Sequence, residues 1–333
     1  MEQQHEQSKQ GMTRRDLLGG AAGLAAASVG GFALGTAASR GPREAAAAEL
    51  ELKGNIRHSI PHWCFSMFGE QWDLDETCQV AKELGCEAVE LIGADDLPTL
   101  AEYDLACAMV QIPQDPPFVR GFNNPDNHEM LIEMTRETID AAAEYGHPNV
   151  ICFTGYQYRD PDNPGSGIIS LEDGFANCVE GLKQVIGYAE ENNVNLCIEN
   201  LNSRDGSYME LADGGEAQMQ GHPGYQGDKA DYCMAIVRAV GSPNMKILYD
   251  LYHSQIMEGD IIRRIREYGE HIGHIHTAGN PGRHELDGEQ EMNYPPIMQA
   301  LVDIGYDGYV GHEFIPTRDP RDGLRAAIQL CDV

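Results

Sequence analysis

The chain has 333 residues, with 53 acidic against 23 basic side chains and a formal charge of −30. Residues 1–50 carry five acidic and five basic side chains, so the whole excess sits on residues 51–333. A surface of that sign repels nucleic acid and anionic membranes, and neither is expected as a partner. Nine cysteines form no C-x-x-C. Cys86, Cys152, Cys197 and Cys233 lie in apolar runs, which predicts buried thiols rather than a disulfide framework.

Thr13-Arg14-Arg15-Asp16-Leu17-Leu18 precedes an Ala/Gly-rich, weakly apolar run from Leu17 to Ala38. Small residues at Ala45 to Ala48 offer cleavage sites. A twin arginine before a mild apolar run is the pattern of a Tat export signal. Residues 1–50 are therefore expected to be a Tat-type signal peptide and short linker. The Tat machinery is then a partner, and the mature protein is exported to a periplasmic or extracytoplasmic location. An uncleaved anchor is the other reading, but so much Gly and Ala makes a poor spanning helix. No stable membrane insertion is expected after cleavage.

From residue 51 onward, strand-like and helix-like patterns alternate. Ile56–Ile60 reads as a first strand, followed by helical spacing over Leu74–Leu84 with Gly85 as its stop signal. Ala88–Ile92 and Leu105–Ile112 read as the second and third strands, the latter closed by Pro113. Glu129–Tyr145 is a helix stopped by Gly146 and Pro148, and Val150–Phe153 is the fourth strand. After a long loop over Thr154–Gly167 come a helix at Leu171–Glu190 and a fifth strand at Val194–Ile198. A second long, Gly-rich loop covers Asn200–Asp228. Lys229–Val240, Ile261–Tyr268, Pro296–Ile304 and Leu324–Cys331 are helical. They alternate with strands at Met245–Tyr249, Ile272–His276 and from Tyr309.

Eight β-α repeats over residues 51–333 predict a single-domain α/β fold, a (β/α)8 TIM barrel. An open doubly wound sheet is the alternative, but no G-x-G-x-x-G follows a strand, so a dinucleotide site is unsupported. The polar residues of interest fall at strand C-terminal ends, and the longest loops follow strands four and five. Both mark the catalytic face of such a barrel.

Strands five to eight end on Glu199, Asp250, His276 and Glu313. Each taken alone is more simply a cap or an ion-pair partner. Four at one register of a barrel predict a shared metal. Three carboxylates and one imidazole suit one divalent ion, with Mn, Mg or Co ahead of Zn. Asp250 and His253 form a D-x-x-H unit, which places His253 beside the metal facing substrate oxygen. A helix N-cap Asp with a nearby surface His is the plainer account. His274 and His276 are two apart on one strand, so both point inward, with His274 in a supporting position. Arg283, in the loop after strand seven, is expected to bind a substrate oxygen or carboxylate through its planar fork, with His284 and Glu285 orienting it. Glu90 in strand two and His62 after strand one complete the substrate-binding set. Trp63, Phe65, Phe68 and Trp72 either wall the pocket or pack loop against barrel.

The segments His276-Thr-Ala-Gly-Asn-Pro-Gly-Arg-His-Glu285, Glu291-Met-Asn-Tyr-Pro295 and Ile304-Gly-Tyr-Asp-Gly-Tyr-Val-Gly-His-Glu313 resemble the C-terminal third of hydroxypyruvate isomerases. The wider group is the xylose isomerase-like TIM-barrel superfamily, with its ketose 3-epimerases, inosose dehydratases and endonuclease IV. The resemblance covers roughly residues 55–330 and is strongest after Val194. It implies metal ligation by Glu199, Asp250, His276 and Glu313, with Glu199 and Glu313 as the acid/base pair. Its D-x-x-H falls on Asp250 and His253. One departure stands out: hydroxypyruvate isomerases have Gln where this chain has His276, as the ketose epimerases do.

The implied chemistry is isomerisation of a small hydroxy-carbonyl compound, similar to hydroxypyruvate, tartronate semialdehyde or a sugar. It runs through an enediolate with proton transfer between the two glutamates. Ketose 3-epimerase or inosose dehydratase chemistry on the same site is the alternative. A non-catalytic exported carbohydrate-binding barrel is the alternative of another class. A homo-oligomer stays open.

Overall fold

The computed structural model describes residues 50–211 and 214–333. Residues 1–49, and with them the Tat-signal reading, lie outside the described residues. Eight strands run parallel: β1 (Arg57–Pro61), β2 (Ala88–Glu90), β3 (Ala106–Cys107), β4 (Asn149–Cys152), β5 (Asn195–Glu199), β8 (Met245–Asp250), β9 (Ile272–Thr277) and β10 (Tyr309–His312). β6 (Met209–Glu210) and β7 (Glu216–Ala217) form a separate antiparallel hairpin in the loop after β5. The strand order is β3-β2-β1-β10-β9-β8-β5-β4. A parallel bridge between Val110 and Val150 joins the two ends and closes the barrel. The expected fold class is thus the observed one, with helices on the outside.

Those helices are α1 (His62–Ser66), α2 (Leu74–Leu84), α3 (Leu97–Glu102), α4 (His128–Tyr145), α5 (Leu171–Lys183), α6 (Ile186–Glu191), α7 (Ala230–Val240), α8 (Leu251–Met257), α9 (Ile261–Tyr268), α10 (Tyr294–Asp303) and α11 (Pro320–Cys331). Their starts and stops follow local chemistry. The Asp73 carboxylate accepts the Glu76 amide at 2.8 Å to begin α2, and Gly85 ends it at φ +76°. α2 then buries Val80, Ala81 and Leu84 on one face. Each fully buried aliphatic side chain of this kind contributes about 1.5–3 kcal/mol. The helix-to-strand layer is continuous around the barrel, and all nine cysteines are unpaired and buried. No helix among the described residues is long and apolar enough to cross a membrane.

The short helices α1, α3 and α8 were not expected, and three expected segments take another form. The single helix expected over Leu171–Glu190 is broken into α5 and α6, because Val185 leaves helical geometry at φ −120° and turns fully into the core. The third strand is regular only at Ala106–Cys107. Leu91 follows β2 at φ +55° and donates to Met109 O, which disrupts the simple ladder there. The loop over Asn200–Asp228 contains the β6–β7 hairpin, whose four residues carry no apolar alternation to announce it.

One irregularity positions the site. β8 and β9 pair Ile247 with Ile272 but Leu248 with His274, so Gly273 is an extra residue in β9. This bulge switches the face presented by the strand. Ile272 and Ile275 both pack in the outer core, while His274 and His276 share the inner face. His276 then sits opposite Asp250. A Cβ at Gly273 would lie 2.7 Å from Cys197 Sγ and 2.8 Å from Lys246 Cβ, so the bulge requires glycine.

Candidate metal centre

Glu199 ends β5, Asp250 ends β8, His276 is the penultimate residue of β9, and Glu313 follows β10. The four are 5%, 1%, 0% and 4% exposed. One ligand atom from each lies within 4.8 Å of every other. His276 Nδ1 is the hub, at 3.2 Å from Glu199 Oε1, 3.1 Å from Glu313 Oε2 and 3.9 Å from Asp250 Oδ2. The strand ends therefore meet as the sequence pattern requires.

The ring is oriented from below. His276 Nε2 faces Glu90 Oε1 at 2.8 Å, and His274 Nε2 faces Glu90 Oε2 at 2.9 Å. Ser59 Oγ donates to Glu90 Oε2 at 2.5 Å. A Cβ at Gly311 would collide with the Glu90 carboxylate, so this glycine lets β2 reach β9 across the lumen. Burial pushes the Glu90 carboxyl up, but the two imidazoles overcome it and leave it at about 2. An ionised Glu90 accepts the Nε2–H proton of His276, so a cation that displaced the second ring proton would meet the Nδ1 lone pair, on the side of Glu199, Asp250 and Glu313.

The electrostatics concentrate negative charge at the quartet. Burial raises the carboxyls of Glu199 and Asp250, and the neighbouring Glu313 charge raises both further. Burial would do the same to Glu313, but Arg283 and His276 hold it well below the usual carboxylate range. Burial alone would lower His276, yet Glu313, Glu199 and Glu90 together raise it well above its ordinary value. Three buried carboxylates within a few ångströms destabilise one another unless protonated or neutralised. A dication with oxygen and nitrogen donors fits this set in charge, chemistry and spacing.

A cavity of about 470 Å3 opens at the strand C-terminal ends. Of these four residues, Glu199 and Glu313 line it and Asp250 and His276 do not. Trp63 and Arg283 also line it. Trp63 Nε1 donates to Glu313 Oε1 at 2.9 Å, and Arg283 pairs with Glu313 Oε2 through Nη2. Arg283 Nη1 donates to Met219 O at 2.6 Å, and the guanidinium lies 5.0 Å from the Trp63 ring centroid. Arg283 itself adopts φ +60°, and its loop is tied to the segment after β10 by Ile315 N donating to Arg283 O at 2.7 Å.

The other sequence-selected residues are placed as follows. Asp250 Oδ1 accepts the His253 amide at 2.8 Å and caps α8, so this aspartate is both helix cap and member of the quartet. His253 is fully buried, receives a hydrogen bond from Asn202 Nδ2 on Nδ1 at 2.7 Å, and keeps Nε2 3.8 Å from Asp250 Oδ2. Burial, then Arg283, keeps it neutral. His253 does not line the cavity, and neither does Glu90. His62 Nδ1 lies 2.9 Å from Thr77 Oγ1, and the ring lines an adjoining depression that shares Leu91, Gln111 and Asp115 with the cavity. Glu285 accepts Thr317 N and Thr317 Oγ1, each at 2.8 Å, so it fastens the loop after β10 rather than touching Arg283. His284 Nδ1 lies 3.1 Å from Ile315 O and fastens the same two loops together. Phe65 and Trp72 stack at 5.1 Å in the core, which leaves Trp63 as the indole at the site.

Sequence reasoning did not single out Asn200, Asn202 or His222. Asn200 exchanges hydrogen bonds with the Asp250 backbone, accepting its N–H and donating to its carbonyl, both at 3.2 Å. It directly follows Glu199, which was the available signal. His222 sits in the long loop with nothing in its neighbours to mark it, yet its ring packs 4.1 Å from Phe118 in the cavity wall.

Comparison with known proteins bears on the fold and the family. A 2-oxo-tetronate isomerase of Cupriavidus necator is 33% identical over 193 residues, which is 57% of this chain and 65% of that relative. The match thus spans just under two thirds of the relative's own length. A hydroxypyruvate isomerase of Escherichia coli is 28% identical over 197 residues, 58% of this chain and 67% of that protein. A crystal structure of a family 2 AP endonuclease from Brucella melitensis superposes with a TM-score of 0.64 at 24% identity, covering 81% of this chain and 97% of that one. At that identity the superposition speaks to the fold alone. Residues 78–332 match the family described as xylose isomerase-like TIM barrel, and the chain belongs to that family.

Proposed function

We propose that this protein is a divalent-metal-dependent isomerase of a small hydroxy-carbonyl compound, with Glu199 and Glu313 as its acid/base pair. One observation carries the reading: these two glutamates alone among the quartet reach the cavity, and both lie beside His276 Nδ1. The matched relatives, a 2-oxo-tetronate isomerase and a hydroxypyruvate isomerase, support the substrate class.

Glu199, Asp250, His276 and Glu313 would hold one ion, with Mn, Mg or Co preferred over Zn by the oxygen-rich donor set. When bound, such an ion polarises a carbonyl and acidifies the C–H beside it. One of Glu199 and Glu313 removes that proton, and the other, protonated from solvent, delivers its own proton to the adjacent carbon. Arg283 fixes Glu313 in place and offers its remaining edge to a substrate oxygen. Trp63 holds the other Glu313 oxygen, so the carboxylate cannot rotate away from the cavity. Glu90, through His276, and Asn202, through His253, orient rings that do not themselves reach the cavity.

Epimerisation on the same pair is the second reading, favoured by His276 in place of the glutamine of hydroxypyruvate isomerases. Turnover in deuterated water with Mn separates the two. Label on the carbon next to the one that loses its proton marks isomerisation, and label on that same carbon with inversion marks epimerisation. No exchange into any hydroxy-keto acid or sugar would sink both. The export reading of residues 1–50 belongs to the same proposal. Replacing Arg14 and Arg15 with Lys should retain the precursor inside the cell, and unchanged export would rule out a Tat route.

A further inference from the structure

We propose that the substrate carries an uncharged apolar group, aryl or alkyl, at the end remote from the metal centre, and that Phe118 and its neighbours receive it. This rests on the metal-centred reading above and goes past it to the substrate's shape. The cavity of about 470 Å3 lies in the range that encloses ligands of drug size. A three-carbon hydroxy-keto acid has the bulk of a few waters, on the order of 100 Å3, and would leave most of that space unfilled.

The composition of the far wall decides what fills it. Leu91, Phe118, Ile151, Phe153 and Tyr156 line it from β4 and the segments after β2, β3 and β4, strands that carry none of the quartet. Phe118 is the centre of an aromatic group, 6.4 Å from Phe153, 6.2 Å from Tyr156 and 4.1 Å from His222 by ring centroid. Behind it stand Met109, Cys197 and Leu248, so the wall continues a buried apolar cluster. Among the described residues of the cavity, Arg283 is the sole Lys or Arg, and its two terminal nitrogens are engaged by Met219 O and Glu313. Asp115 and Glu216 add negative charge to the lining. A second carboxylate or a phosphate on the substrate would find no cation in the lining besides Arg283, which already holds Glu313, and would add to the charge of Asp115 and Glu216. An apolar group would displace water from surfaces that cannot hydrogen-bond to it. The β6–β7 hairpin and its flanks contribute a mixed surface to the lining, Tyr208, Ala217 and Met219 beside Glu216 and Gln218.

The test uses the full chain with Mn and two probes that share a chelating hydroxy-acid head, glycolate and 3-phenyllactate. Trp63 lines the cavity and is one of two tryptophans in the chain, so its emission reports occupancy, with calorimetry as a second readout. Phenyllactate should bind on the order of thirtyfold more tightly than glycolate, as burial of one phenyl ring implies. Phe118→Ala should remove most of that preference while leaving glycolate and Mn affinity in place, which also reports that the variant is folded. Equal affinity of the two probes overturns the proposal, as does a preference untouched by Phe118→Ala. If chelation of Mn changes the binding of neither probe, the metal-centred reading fails, and a surviving phenyl preference still belongs to the apolar wall.

Discussion

Around the barrel mouth, β5, β8, β9 and β10 deliver Glu199, Asp250, His276 and Glu313, whereas β4 and the loop after β3 deliver Phe153 and Phe118. Glu199 and Glu313 line the same cavity as Phe118 and Phe153, with Asp250 and His276 outside its lining, but the two groups are held by different physics. The charged half is constrained by direction: each carboxylate has named partners at hydrogen-bond distance, and Glu90 sets the plane of His276 from a layer below. The apolar half is constrained by shape, with aromatic rings at tilted and edge-on angles over a packed cluster. Substitution in the first should change chemistry and electrostatics. Substitution in the second should change which molecules fit.

The largest effect should come from the two glutamates. Glu199→Gln or Glu313→Gln should lower turnover by about 10²–10⁴, the usual range for loss of a general acid or base. Both should also weaken Mn binding, read by calorimetry. Full activity in both variants would collapse the distinction between the two halves. Arg283→Met comes next. It leaves Glu313 buried without its guanidinium, which should cost about 3–5 kcal/mol of stability by urea titration. Adding Glu313→Gln to that variant should recover part of the loss, and strict additivity would show that the pair is not coupled.

Glu90→Gln should reduce Mn affinity by about 10–100-fold, as loss of an outer carboxylate on a metal-binding histidine does. Because Glu90 does not line the cavity, kcat at saturating Mn should recover substantially. A variant whose KM for substrate rises at saturating Mn would instead make Glu90 a substrate contact. The smallest effect concerns pH. Burial lowers His58 to about 4 and His222 to about 3. Below the ordinary value near 6.5, the unfolded chain takes up protons that the fold excludes. Their contribution is therefore intact above about 6.5 and falls as pH drops, toward 4 for His58 and toward 3 for His222. Melting temperature followed from pH 7.5 to 4.5 should decline less steeply in His58→Gln than in the parent chain.

The charged half was legible in the sequence because each ligand ends a short apolar run, and β-strand ends leave a visible register. Its fine structure was not. The bulge at Gly273 reverses which side of β9 faces the lumen, and no residue type at that position signals it beyond glycine itself. Glu90 was visible as an acid in an apolar strand, but its bond to His276 spans 186 positions and follows only from closing the barrel. The apolar half was harder still. Phe118 and His222 lie in irregular loops, where a lone aromatic ring carries no periodicity and its partners are set by tertiary packing. Helix α8 was missed for a related reason: its seven residues are too short for a repeating pattern, and its start is defined by Asp250 alone.

Asp250 gives one carboxylate oxygen to the His253 amide at the head of α8 and turns the other toward the quartet. A dication drawing on Oδ2 would therefore also fix the group that nucleates a turn of helix. Occupancy of the centre and opening of α8 then become linked equilibria. Hydrogen exchange at the His253 amide should slow when Mn is added and speed up on chelation. The backbone of one short helix would thus record whether the centre is filled, without any substrate present.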